Sequence, residues 1–142
     1  MTPEIDALER THRRFGWTAL LVFLTLGIFL ESLHGLKAGF YLSDPLRATL
    51  WRLAHAHGTL FALVNLVFPA GARLVASDAR RTLASRSLRT GSVLLPAGFF
   101  AGGIAHPEGD PSLGIVLVPL GALLAFGAVA VVAAAAWRRN PR

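Results

Sequence analysis

Trp51-Arg52-Leu53-Ala54-His55-Ala56-His57-Gly58-Thr59-Leu60-Phe61-Ala62-Leu63-Val64-Asn65 is apolar enough to enter a bilayer, yet it carries two histidines one residue apart. Ionisable side chains are costly in hydrocarbon, and where they occur they usually face a bundle interior and serve a function. Two residues advance an α-helix by about 200°, so His55 and His57 point to nearly opposite sides and do not readily grip one ion together. Along the same helix Ala48, Arg52, His55, Thr59, Ala62 and Leu66 form one stripe, and Leu53, His57, Phe61, Val64 and Phe68 form another. The first is small and suits close packing, so His55 is expected inside its own subunit. The second is bulky and leaves His57 to meet lipid, a neighbouring subunit or a large apolar ligand.

The chain around this stretch has 142 residues, of which 54% are hydrophobic and 15% charged. A soluble domain carries charge on nearer a quarter of its residues. The apolar residues gather into four runs, about 15–36, 53–70, 90–106 and 113–137. Each is roughly long enough to cross a hydrocarbon core of about 30 Å at 1.5 Å per residue. Without strict alternation such runs exclude a β-barrel. The predicted fold is therefore all-α and integral to the membrane: a single domain over 1–142, an antiparallel bundle of four transmembrane helices. Residues 1–14 are expected to form a cytoplasmic amphipathic segment leading into the first span.

Charge orients the bundle. The formal net charge is +6, and 11 of the 14 basic residues fall on one side of a four-span chain. These are Arg10, Arg13 and Arg14, the middle-loop arginines from Arg73 to Arg89, and Arg138, Arg139 and Arg142. The positive-inside rule then places both termini in the cytoplasm. Beside membrane segments the arginines read as topogenic and as contacts to anionic lipid, with no nucleic-acid partner. There is no cysteine, so disulfides, thiolate sites and iron–sulfur clusters are excluded. The first span is expected to be retained, because Glu31-Ser32-Leu33-His34 follows where a signal peptide would show a small-residue cleavage site.

Local signals fill in the rest. Thr2-Pro3-Glu4 reads as a helix start, with Ile5, Leu8, His12 and Phe15 on one face and His12 as an interfacial surface residue. Ser43-Asp44-Pro45 predicts a second helix beginning near Pro45. Ser77-Asp78, Ser85 and Ser87 are expected to cap short helical pieces within a basic loop. In the third span Gly98 and Gly102 make a Gly-x-x-x-Gly pair, suited to close helix approach or to the flat face of a cofactor. No glycine-rich phosphate loop, Ser–His–Asp order or zinc-finger spacing is present.

Span one ends, span two begins and span three ends on the outer side. Glu31, His34, His55, His57 and His106 are therefore predicted to share that end, as candidate metal ligands, with the four histidines as candidate haem ligands. The bland alternative is that Glu31 and His34 sit at the water interface and pair with each other or with Lys37. His55-Ala56-His57 followed by Gly58 resembles the His-x-His of haem–copper oxidases and related nitric-oxide-handling membrane proteins. Glu31-Ser32-Leu33-His34 resembles the Glu-x-x-His of haem A synthases, which are four-helix bundles with histidine pairs. These resemblances cover three or four residues each and imply haem b, in redox or gas and electron handling. A mononuclear copper or zinc site is the second expectation. The third is a non-catalytic accessory subunit, assembling as a homo-oligomer or within a larger membrane complex, whose histidines satisfy interhelical hydrogen bonds.

Overall fold

A computed structural model describes residues 3–138. Thr2, expected as a cap, and Arg139 and Arg142 of the basic tail lie outside the described residues. The chain is helical: α1 Pro3–Gly35, a single turn α2 Gly39–Leu42, α3 Pro45–Ala72, α4 Asp78–Gly102, a 3-10 turn Leu113–Val116 and α5 Leu117–Arg138. Three helical stretches are long and apolar enough to cross a membrane: Pro3–Gly35, Pro45–Ala72, and Leu113–Arg138, which joins the 3-10 turn to α5. Their outward faces carry Leu21, Ile28, Phe126 and Val67, each more than half exposed, which a bilayer would cover.

The amphipathic segment and first span are one continuous helix of 33 residues, about 50 Å long. It stops in a Schellman turn. The Ala38 amide donates to the Leu33 carbonyl and the Lys37 amide to that of His34, with Lys37 in the left-handed conformation at φ 53°. α3 starts at Pro45 as predicted, where the Asp44 side chain accepts from the Arg47 amide and proline occupies the first helical position.

The basic loop is much shorter than expected. Only residues 73–77 turn, and Ser77 caps a single long α4 that absorbs Ser85 and Ser87. Alanine, leucine and arginine favour helix, so the arginine-rich segment continues the helix. At its other end α4 stops at Gly102, short of His106. There Ser112 ties the returning chain back, its amide to the Gly102 carbonyl and its hydroxyl to that of Ala101.

The helices pack in the order α1–α3–α4–α5, and α1 and α5 have no close backbone approach. They form an open layer rather than a ring closed on all four sides. Small residues bring the neighbours together. A Cβ on Gly121 would lie 2.5 Å from the Leu95 backbone nitrogen, and one on Gly91 would lie 2.6 Å from the Gly121 carbonyl. Gly98 likewise meets Val118 and Leu117, so that half of the Gly-x-x-x-Gly pair serves helix packing. Phe68, Ala72, Ala84, Leu88, Ala125 and Ala128 make the core at one end, and Leu30, Tyr41, Ala48 and Trp51 make it at the other.

Candidate functional site

Towards the end where α1 stops and α3 begins, His55, His57 and His106 each engage a different neighbour, while Glu31 and His34 are exposed. Among the described residues no three His, Asp or Glu side chains gather closely enough to hold one metal ion.

His55 turns into its own chain, as its stripe predicted. Its Nδ1 lies 2.7 Å from the Phe23 carbonyl of α1; a carbonyl only accepts, so Nδ1 carries a proton, and in the neutral ring it is Nε2 that holds the lone pair. Gly27 makes the room, since a Cβ there would meet the imidazole at 2.5 Å. Phe23 in turn sits over Gly58, where a Cβ would meet its ring at 2.3 Å. Each helix thus inserts one ring into the other's glycine. His55 lines a cleft of about 610 Å³ with Glu31 and Arg52, walled by Leu24, Ile28 and Leu30. The Arg52 Nε donates to the Ala48 carbonyl, and Glu31 is exposed. Neither Glu31 nor Arg52 is in an ion pair among the described residues.

His57 corrects the expectation for the bulky stripe. Its ring lies 5.1 Å from that of Phe99 on α4, and its Nδ1 donates to the Leu53 carbonyl of its own helix at 2.9 Å. The reason is that α4 covers this face of α3 from within the same chain. His34 is exposed on the last turn of α1.

His106 belongs to a latch beyond the helix ends. Its Nε2 is 2.9 Å from Asp44 Oδ2 and its Nδ1 is 2.8 Å from the Pro107 carbonyl. Arg47 donates to the carbonyls of Phe40, Gly103 and Ile104 at 2.7, 2.9 and 3.3 Å, and pairs with Asp44 at 3.3 Å. Beneath it Tyr41, Trp51 and Phe100 stack in series, and the Trp51 indole donates to the Phe100 carbonyl at 3.1 Å. The Arg47 amide, and after it the charges of His106 and Arg47, hold the Asp44 carboxyl below its ordinary range.

The polar centre that sequence reasoning missed lies at the opposite end. His12, expected on the surface, is fully buried, stacked on Phe68 at 4.6 Å between ring centres. Its Nδ1 is 2.9 Å from Asn65 Oδ1 and its Nε2 is 2.8 Å from Ser85 Oγ. The Asn65 amide nitrogen donates to the Phe61 carbonyl and to Ser92 Oγ, both at 2.8 Å, and Ser92 donates to the Leu88 carbonyl. The donors can be assigned in sequence. Both Asn65 amide protons are used, so its oxygen must accept from His12 Nδ1–H, and Nε2 must accept from the Ser85 hydroxyl. One neutral tautomer satisfies every group, across α1, α3 and α4. The signal available in the sequence was Asn65, an amide inside an apolar run that needs partners from other helices.

Comparison with known proteins supplies no relative: no protein-family model matches the chain, and neither does any curated protein or solved structure.

Proposed function

We propose that this chain is a four-span integral membrane protein with both termini cytoplasmic. It acts as a non-catalytic accessory subunit whose open helix layer is completed by partner helices, from further copies or from a larger membrane complex. Supporting the fourth crossing, α4 runs antiparallel along α3, with Arg47 and Trp51 meeting Gly103 and Phe100 at one end and Asn65 meeting Ser92 towards the other. Packed between α3 and α5, α4 needs less apolar surface of its own than they do. The observation that carries the subunit reading is how the imidazoles are used: His12, His55 and His106 each tie their segment to another. Such ties hold helices in register where lipid supplies no hydrophobic drive between them.

The test has two parts. Reporter fusions should place residues 73–77 and both termini on the cytoplasmic side; an outside location for that turn overturns the orientation. The purified protein, as isolated and reduced, should show no Soret band. A variant with His34, His55, His57 and His106 all replaced by Gln should still insert as a helical protein.

A second reading is haem b, or a copper or zinc ion, bound through the outer histidines. One observation favours it. His55 Nδ1 is fixed on a backbone carbonyl, which leaves the Nε2 lone pair free as metal-ligating imidazoles require, and a guanidinium and a carboxylate line the same cleft. A Soret band, or bound metal without one, that disappears on His55→Gln would establish this reading and remove the first.

A further inference from the structure

α1 and α4 flank α3 on one face of the layer and are tied to each other at the His12–Ser85 hydrogen bond. Beyond that tie they part, and an open groove of about 500 Å³ lies between them. Its walls are almost wholly apolar: Val22 and Leu26 on α1, Pro96, Ala97 and Phe100 on α4, and Ala54 as part of the floor. Val22 and Val93 are each about half exposed, so the groove is open along its side. From Phe15 to Leu26 the helix rises about 17 Å, close to half of a hydrocarbon core of about 30 Å.

At its Phe15 end the groove runs into a second compartment of about 480 Å³, and the two share Phe15 and Val93. The chemistry changes there. Arg86, Arg89 and Thr90 line this mouth, with no carboxylate among its lining residues. Neither arginine is in an ion pair among the described residues. The Arg89 Nε is buried with no hydrogen-bond partner. A guanidinium donor withdrawn from water and left unpaired is costly unless an acceptor arrives from outside the chain.

We infer that the groove between α1 and α4 is a binding site for one anionic phospholipid, with its phosphate at Arg86, Arg89 and Thr90 and an acyl chain along Val22, Ala97 and Phe100. Two positive charges with no acid fit an anionic headgroup better than a zwitterionic one, whose ammonium would find no partner. The apolar groove, one leaflet long, distinguishes a lipid from a free anion. The cytoplasmic leaflet is assigned by the orientation proposed above; binding in detergent micelles, which have no sides, tests the site without it.

The full chain in a neutral detergent is titrated with phosphatidylglycerol, phosphatidylcholine or inorganic phosphate, and retained lipid is measured by native mass spectrometry alongside thermal unfolding. One phosphatidylglycerol per chain should be retained and should raise the unfolding temperature, with phosphatidylcholine and phosphate doing neither. Arg86→Gln with Arg89→Gln should weaken retention by at least about tenfold, given the worth of each basic residue toward anionic headgroups. Ala97→Phe, which fills the groove and leaves both arginines, should weaken it comparably. Arg10→Gln with Arg13→Gln removes the same charge from the other side of α1 and should change nothing. Equal retention of phosphatidylcholine, equal stabilisation by phosphate, or equal loss in the Arg10/Arg13 variant would overturn the assignment.

Discussion

Replacing His12 by Leu keeps much of the side-chain volume but removes both ring nitrogens from a buried polar centre whose groups are all hydrogen-bonded. Asn65 Oδ1 and Ser85 Oγ each lose their imidazole partner. An orphaned buried polar group costs about 1–3 kcal/mol. The Ser85 hydroxyl can rotate toward a carbonyl one turn back in α4, so its share falls at the low end. The Asn65 oxygen has no such escape, because its amide group is held by Phe61 and Ser92. Loss of the stacked pair with Phe68 adds about 0.5 kcal/mol. The expected destabilisation is therefore about 2–4 kcal/mol, well above the average of about 0.6 kcal/mol for a single interhelical bond in a membrane bundle. The assay is reversible unfolding in mixed micelles, followed by circular dichroism. Removing the network together, with His12→Leu, Asn65→Leu, Ser85→Ala and Ser92→Ala combined, should recover a large part of the loss, since no polar group is then stranded. A cost below about 0.5 kcal/mol for His12→Leu, or a combined variant no better than the single one, would refute the bonding scheme.

Three further outcomes follow from particular contacts. Gly121→Ala should separate α5 from α4, because the new Cβ would press on the Leu95 backbone at 2.5 Å; a loss of about 1–3 kcal/mol in the same assay is expected. Lys37→Gly should stabilise by about 0.5–1 kcal/mol, relieving a left-handed non-glycine residue at the end of α1 against a modest gain in unfolded-chain entropy; a destabilised variant would count against the turn. Asp44 has a folded-state carboxyl pKa below its ordinary value of 3.8, so its contribution is present above that value and is lost as pH falls through the lower folded-state one. Asp44→Asn should accordingly be less stable than the parent at neutral pH, and the difference should shrink only in strong acid.

Much of the architecture is legible in the sequence because bilayer physics writes it into composition. The apolar runs, the Ser43-Asp44-Pro45 start and the opposite facing of His55 and His57 rest on local rules: hydrocarbon thickness, capping chemistry and the advance of 100° per residue. These act within one helix, and the sequence records one helix at a time. The phase of α3 determined that His55 and His57 would serve different neighbours; which neighbours was not contained in it. That α4 rather than lipid meets His57, through Phe99, follows from where α4 sits. The same holds for Gly27 and Gly58, whose exchange of rings with His55 and Phe23 depends on the level at which α1 and α3 cross.

His12 marks the limit most sharply. By composition it belongs to a basic, water-facing segment, and only tertiary structure brings Asn65, Ser85 and Ser92 around it from 53, 73 and 80 residues away. A hydrogen bond between distant segments leaves no periodic trace in either. Its sequence signature is two polar residues in separate apolar contexts, each unexplained by its own helix. Local chemistry determined that Asn65 needed partners; the packing order α1–α3–α4–α5 decided that they would be His12 and Ser92.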